Sequence, residues 1–170
     1  MTNKHQILIS VGSNINKKEN TELGLQALHE EYGELLLSKI YESESVGFHG
    51  NNFYNLVVLA FTEASIEDVC ANLKKIEDNQ GRTRDKKFGN RTLDLDLLTY
   101  DDVVCSSPIM LPREEIEYNA FVLKPAAELV PNQVHPTTKK TYKTLWAEFL
   151  ADNPNNQQKL WPSNLHWSAK

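Results

Sequence analysis

Apolar and polar positions change their period several times along the chain, and each change marks an element. His5 to Val11 alternates and is rich in isoleucine and valine, the period of two of a β-strand. Gly12-Ser13-Asn14 then reads as a turn. From about Lys17 to Tyr32 the period becomes helical, with Leu23, Leu25 and Leu28 on the apolar side and Gly33 placed to end the helix. Leu35–Tyr41 and Phe53–Phe61 read as two further strands, joined by a glycine- and asparagine-bearing loop over 42–52.

The second helix has the clearest signals. Ser65 and Asp68 make a capping-box pattern, Ile66, Val69, Cys70, Leu73 and Ile76 recur at helical spacing, and Gly81 is a terminator. A strand from Thr92 to Tyr100 follows. The order β-α-β-β-α-β predicts an α+β fold, a ferredoxin-like sandwich, as one domain over residues 1–170. Asp101–Pro136 is expected to form a short hairpin with proline-punctuated loops, and Tyr142–Phe149 a last helix. After Ala151 the Asn-, Gln- and Pro-rich tail is expected to be irregular, with Trp161 and Trp167 pinning it to the body.

Composition narrows the class. With 170 residues, 40% hydrophobic and 24% charged, the chain suits a soluble domain with a real core. It has no apolar run of membrane-spanning length, and the polar Met1–His5 leads straight into a strand, which points to the cytoplasm. Cys70 and Cys105 lie far apart with no partner spacing and read as reduced, structural thiols. A net charge of −5 argues against nucleic acid and anionic membranes as partners.

Within this acidic chain one stretch differs. Arg82, Arg84, Lys86, Lys87 and Arg91 stand within ten residues beside a single acid, Asp85. A basic loop on an acidic protein implies a small polyanion. Arginine offers phosphate a planar, permanently charged fork, and Gly81 and Gly89 bracket a segment able to close over a charged reactant. A solvated charge run would look the same.

Asp94 and Asp96 sit two apart on the following strand and so face one way, while Leu93, Leu95 and Leu97 face the core. Two carboxylates held side by side are costly unless a cation neutralises them, and hard oxygen ligands of this kind suit magnesium. The alternation alone is also that of any half-exposed strand. The adjoining basic loop shifts the reading, because carboxylates for metal and guanidinium groups for phosphate are what metal-assisted phosphoryl transfer requires. Glu77, in the last turn of the second helix, opposes the helix dipole and hints at a polar ligand, or is an ordinary surface acid. Phe53-Tyr54-Asn55 can pair an aromatic platform with an amide that reads a heterocycle edge, or Phe53 is core. The chain lacks a Walker-type phosphate loop, and His49 and His135 read as surface or structural.

Taken together the motifs resemble the 6-hydroxymethyl-7,8-dihydropterin pyrophosphokinase family. The resemblance runs from Ile7 to about Pro136 and rests on Val11-Gly12-Ser13-Asn14, Tyr41–Gly47, Phe53-Tyr54-Asn55, Gly81-Arg82 and above all Arg91–Leu97. It implies a ferredoxin-like monomer that moves the β,γ-diphosphate of ATP onto a reduced pterin, with two magnesium ions. By this resemblance Asp94 and Asp96 hold both metals, Arg82 and Arg91 contact the phosphates, and Glu77, Arg84 and Arg113 belong to the nucleotide site. The pterin would lie between Phe88 and Phe121 near Phe53, with Asn55 at its polar edge and Ser43 and Val46 lining the pocket.

The chain departs from the family pattern at three places. Phe88 stands where tryptophan is common, Arg113 where better-known members have histidine, and Asn119 where they have a mobile-loop arginine. Arg113 can cover the histidine's electrostatic role but cannot titrate near neutral pH. These changes imply a divergent member, with two alternatives: a catalytically impaired pterin- or nucleotide-binding relative acting as a sensor or pathway partner, and a ferredoxin-like RNA-binding module. The net negative charge and the lack of an aromatic RNA-binding strand motif count against the latter.

Overall fold

The computed structural model describes residues 4–44, 52–80, 92–155 and 158–170. The elements run β1 (His5–Ser13), α1 (Lys17–Tyr32), β2 (Leu36–Leu37), β3 (Tyr41–Ser43), β4 (Phe53–Thr62), α2 (Ile66–Asn79), β5 (Asp94–Tyr100), α3 (Glu115–Tyr118), α4 (Ala120–Leu129), α5 (Tyr142–Asp152) and β6 (Leu160–Pro162). The sheet is ordered β5-β1-β4-β3-β6, with β2 also on β4, and every pairing is antiparallel. Placing β1 between β4 and β5 is the arrangement expected of a ferredoxin-like βαββαβ unit.

Period-two alternation sends neighbouring strand residues to opposite faces, and here both faces are buried. Ile7, Ile9, Val11, Val58, Leu95 and Leu97 meet Leu25 and Leu28 of α1 and Val69 and Leu73 of α2. Leu8, Val57, Leu59 and Leu98 meet Val122 and Leu123 of α4 and Leu145 and Phe149 of α5. Ser65 caps α2 as its sequence implies, its side chain accepting from Asp68 N at 3.1 Å.

Three expectations change. The strand expected over Leu35–Tyr41 is two short pieces, because Ser38 breaks the ladder: its N–H donates to Val57 O and its Oγ accepts from Val57 N, each at 3.0 Å. The hairpin expected over Asp101–Pro136 is a bridge between Cys105 and Leu111 followed by two helices. Pro125 lies inside α4, and the apolar face around it buries Val122, Leu123 and Ala126, so packing outweighs the helix-breaking residue. The tail is less irregular than expected. β6 pairs with β3, Ser163 N donates to Ile40 O at 2.8 Å, and Leu165 joins the first core. Trp167 packs against that core, whereas Trp161 is exposed.

Both cysteines are free and half-buried. His135 is fully buried, where its Nδ1 accepts from the amides of Thr137 and Thr138. Among the described residues no helix is long and apolar enough to cross a membrane.

Candidate active site

The end of β1 and the start of β5 are fixed from behind. Ser13 Oγ donates to Thr92 O at 2.5 Å, a buried bond that sets where β5 begins. Glu77 is only 7% exposed, and its Oε2 accepts from Leu95 N at 2.8 Å. A buried carboxylate taking a backbone N–H makes a strong, charge-assisted bond. Glu77, expected at the nucleotide, is thus found beneath the strand that carries the aspartates. Leu93, Leu95 and Leu97 enter the core, leaving Asp94 and Asp96 together on the other face.

That face opens into a cleft of about 140 Å³ walled by β1, β4, β5 and the α3–α4 corner. Asp94, Asp96, Phe53, Asn55 and Phe121, all expected at the site, line it together. The sheet register explains how. Gly12 pairs with Asn55 on one side and with Asp94 on the other, so the amide, the glycine and the carboxylate form one row across three strands. A Cβ on Gly12 would lie 3.1 Å from Asn55 Oδ1, tighter than ordinary contact, so glycine leaves room for the amide. Asn55 Nδ2 donates to Ser43 Oγ at 3.1 Å. Ser43 is itself fully buried and supports Asn55 from behind the cleft.

Arg113 enters from the segment after β5. Its backbone N donates to Leu98 O at 3.0 Å and its Nη2 donates to Asp96 Oδ1 at 2.7 Å. The same Nη2 lies 4.0 Å from Glu115 Oε1. Its Nε is buried and has no hydrogen-bond partner among the described residues. Glu115 lines the cleft as a third carboxyl group. Burial raises its pKa above the ordinary carboxylate value, repulsion from Asp96 and Asp94 adds to the rise, and Arg113 opposes it.

The donor set fits magnesium in one respect and limits it in another. Asp94 and Asp96 offer hard oxygens on one stiff strand, in surroundings where a neighbouring acid is already pushed toward its neutral form. No cluster of three or more acid, histidine or cysteine residues able to hold a metal occurs among the described residues. Two carboxylates with water and phosphate oxygens completing the shell is the coordination this geometry suits.

Val46, Arg82, Arg84, Phe88 and Arg91, together with Lys86 and Lys87, lie outside the described residues.

The profile of the 7,8-dihydro-6-hydroxymethylpterin-pyrophosphokinase (HPPK) family matches residues 8–131. The chain belongs to this family. It is 31% identical over 150 residues to the 2-amino-4-hydroxy-6-hydroxymethyldihydropteridine pyrophosphokinase of Aquifex aeolicus, covering 86% of this chain and 91% of that one. The enzyme of the same name from Haemophilus influenzae is 30% identical over 136 residues, 77% of this chain and 85% of that one. Among solved structures, wild-type Plasmodium falciparum HPPK-DHPS superposes with a TM-score of 0.70 at 12% identity. That match covers 90% of this chain and 46% of the longer one, and it speaks to the fold.

Within the HPPK framework two cleft residues escaped the sequence reading. Glu115 had a signal, an acid two positions beyond Arg113. Asn119 was singled out in the sequence, but not as a helix cap. In the structure its Oδ1 accepts from Phe121 N at 2.9 Å and caps α4.

Proposed function

We propose that this chain transfers the β,γ-diphosphate of ATP to the hydroxymethyl group of 6-hydroxymethyl-7,8-dihydropterin, a step of folate biosynthesis that releases AMP. The observation that carries the reading is the row Asn55–Gly12–Asp94, which joins the amide suited to a heterocycle edge to the carboxylates suited to a metal. Two strand spacings separate its ends, about 10 Å. A pterin against Phe121 with its polar edge at Asn55 then directs its hydroxyl toward the side where Asp94 and Asp96 stand.

The hydroxyl oxygen attacks the β-phosphorus in line and gives its proton to solvent, the bond from that phosphorus to the oxygen bridging it to the α-phosphorus breaks, and AMP leaves. Asp94 and Asp96 would hold magnesium, which when bound would offset charge on the phosphates. Arg82, Arg84 and Arg91 take the phosphate clamp in this reading, on the chemistry of their guanidinium groups. Phe53, Leu56 and Phe121 supply the apolar part of the cleft wall, against which the pterin ring packs in this reading. We further infer a cytoplasmic monomer in which residues 1–170 form one domain, binding neither nucleic acid nor membrane, in keeping with the net charge of −5.

A second reading, a pterin- and nucleotide-binding relative with impaired transfer, draws on Arg113, which already holds Asp96 Oδ1. One assay separates the two. ATP, magnesium and the pterin are incubated with wild type and with Asp96→Ala, and AMP and pterin diphosphate are quantified. Product from wild type alone supports the transferase. Pterin binding without AMP from wild type supports the impaired binder.

A further inference from the structure

We propose that Arg113 is the resident counter-ion of Asp96, an internal cation that cedes its place to the incoming metal and is received by Glu115. The proposal rests on the pyrophosphokinase reading of the cleft and adds to it an exchange specific to this chain. Arg113 Nη2 donates to Asp96 Oδ1 at 2.7 Å, and the same nitrogen stands 4.0 Å from Glu115 Oε1. A small rotation of the guanidinium therefore converts one ion pair into the other. The backbone of Arg113 is tied to Leu98 O, so the side chain alone has to move.

Three features make the present seat exchangeable. Arg113 and Asp96 are both partly exposed, at 29% and 36%, so their pairing is screened by solvent and weakly held. The Nε of Arg113 is buried without a hydrogen-bond partner among the described residues, so the guanidinium is incompletely satisfied where it sits. Glu115 Oε1, 4.0 Å from the same nitrogen, offers the guanidinium a second acceptor. Arginine cannot yield its place by losing a proton, as a histidine could, so metal arrival has to displace it as a charge. A divalent ion by itself then meets a carboxylate that is already paired, whereas a metal arriving with nucleotide phosphates brings an anion of its own.

The test measures Mn2+ binding to the nucleotide-free protein by electron paramagnetic resonance, without any turnover. Arg113→Gln is expected to tighten Mn2+ binding severalfold, as a screened ion pair stops competing for Asp96. Glu115→Gln is expected to weaken it severalfold in the Arg113 background, and much less when combined with Arg113→Gln. Arg113→Lys, which keeps the charge and spares the fold, is expected to give a smaller tightening because a lysine lacks the fork. Unchanged or weaker binding in either Arg113 variant would overturn the exchange. An equal effect of Glu115→Gln in both backgrounds would remove Glu115 as the receiver. If Arg113→Gln tightens Mn2+ binding while wild type yields no AMP, the exchange stands and the transfer reading falls.

Discussion

The carboxylate of Glu77 accepts the amide of Leu95 at 2.8 Å, and Leu95 is the residue between Asp94 and Asp96. A helix and the carboxylate-bearing strand are thereby joined at the one backbone position that sets both aspartates. Glu77→Ala leaves the Leu95 N–H buried and unpaired, which costs roughly 1–3 kcal/mol. The expected outcome is a lower urea midpoint with faster hydrogen exchange at the Leu95 amide. Glu77→Gln, which retains an acceptor oxygen, should lose less on both measures.

Gly12 separates the two ends of the site row. A methyl group there falls 3.1 Å from Asn55 Oδ1, so Gly12→Ala pushes the amide off its position beside Ser43. Steady-state kinetics should show KM for the pterin rising several-fold while KM for ATP moves little. A matched rise in both would mean that Asn55 does not read the pterin.

Asn119 caps α4 through Phe121 N. Asn119→Ala should cost about 1 kcal/mol in thermal or denaturant unfolding, and Asn119→Ser, which can also cap, should be close to neutral. If alanine and serine destabilise equally, the side-chain oxygen is not what holds the helix start.

His135 is buried with its Nδ1 taking two amides, and burial lowers its pKa from the ordinary 6.5, an effect opposed by Glu117. Below 6.5 the unfolded chain therefore binds a proton that the folded chain resists. The stability His135 contributes is complete above pH 6.5 and declines as pH falls from there toward its folded pKa. Melting temperatures between pH 7.5 and 5 should drop for wild type. His135→Asn should flatten that part of the profile, and an unchanged slope would assign it to other groups.

The parts of the fold most legible in the sequence were those where one period holds without interruption. β1, α1, α2 and β5 come from alternation or helical spacing bounded by Ser65 and Gly33 and fall close to where expected, although β1 runs on through Gly12 and Ser13, which read as a turn in the sequence and are held in the ladder by Asn55 and Tyr54. Asp94 and Asp96 were readable for the same reason, since a strand sends alternate residues to one side. α4 was not readable as a helix, because Pro125 signals a break and only packing against Leu8, Val57 and Leu98 overrides it. Ser38 was equally opaque, as its interruption of the ladder depends on a distant strand, β4. Glu77 showed its unusual place at a helix C-terminus but not its direction, which only the position of β5 decides. The cleft brings Glu115 and Asn119 beside the aspartates through a corner whose path no periodicity encodes.

The last strand bears on how the chain is made. β6 closes the edge that β3 would otherwise leave unpaired, and Leu165 shares a core with Ile7. During synthesis Ile7 emerges from the ribosome more than a hundred residues ahead of the leucine it packs with. Until residues 160–165 follow, the nascent chain carries a bare strand edge and an unfilled core, the state in which sheet proteins associate with one another. The sheet therefore stays incomplete until residues 160–165 are available, and a chain stalled before them is when this protein is most exposed to aggregation.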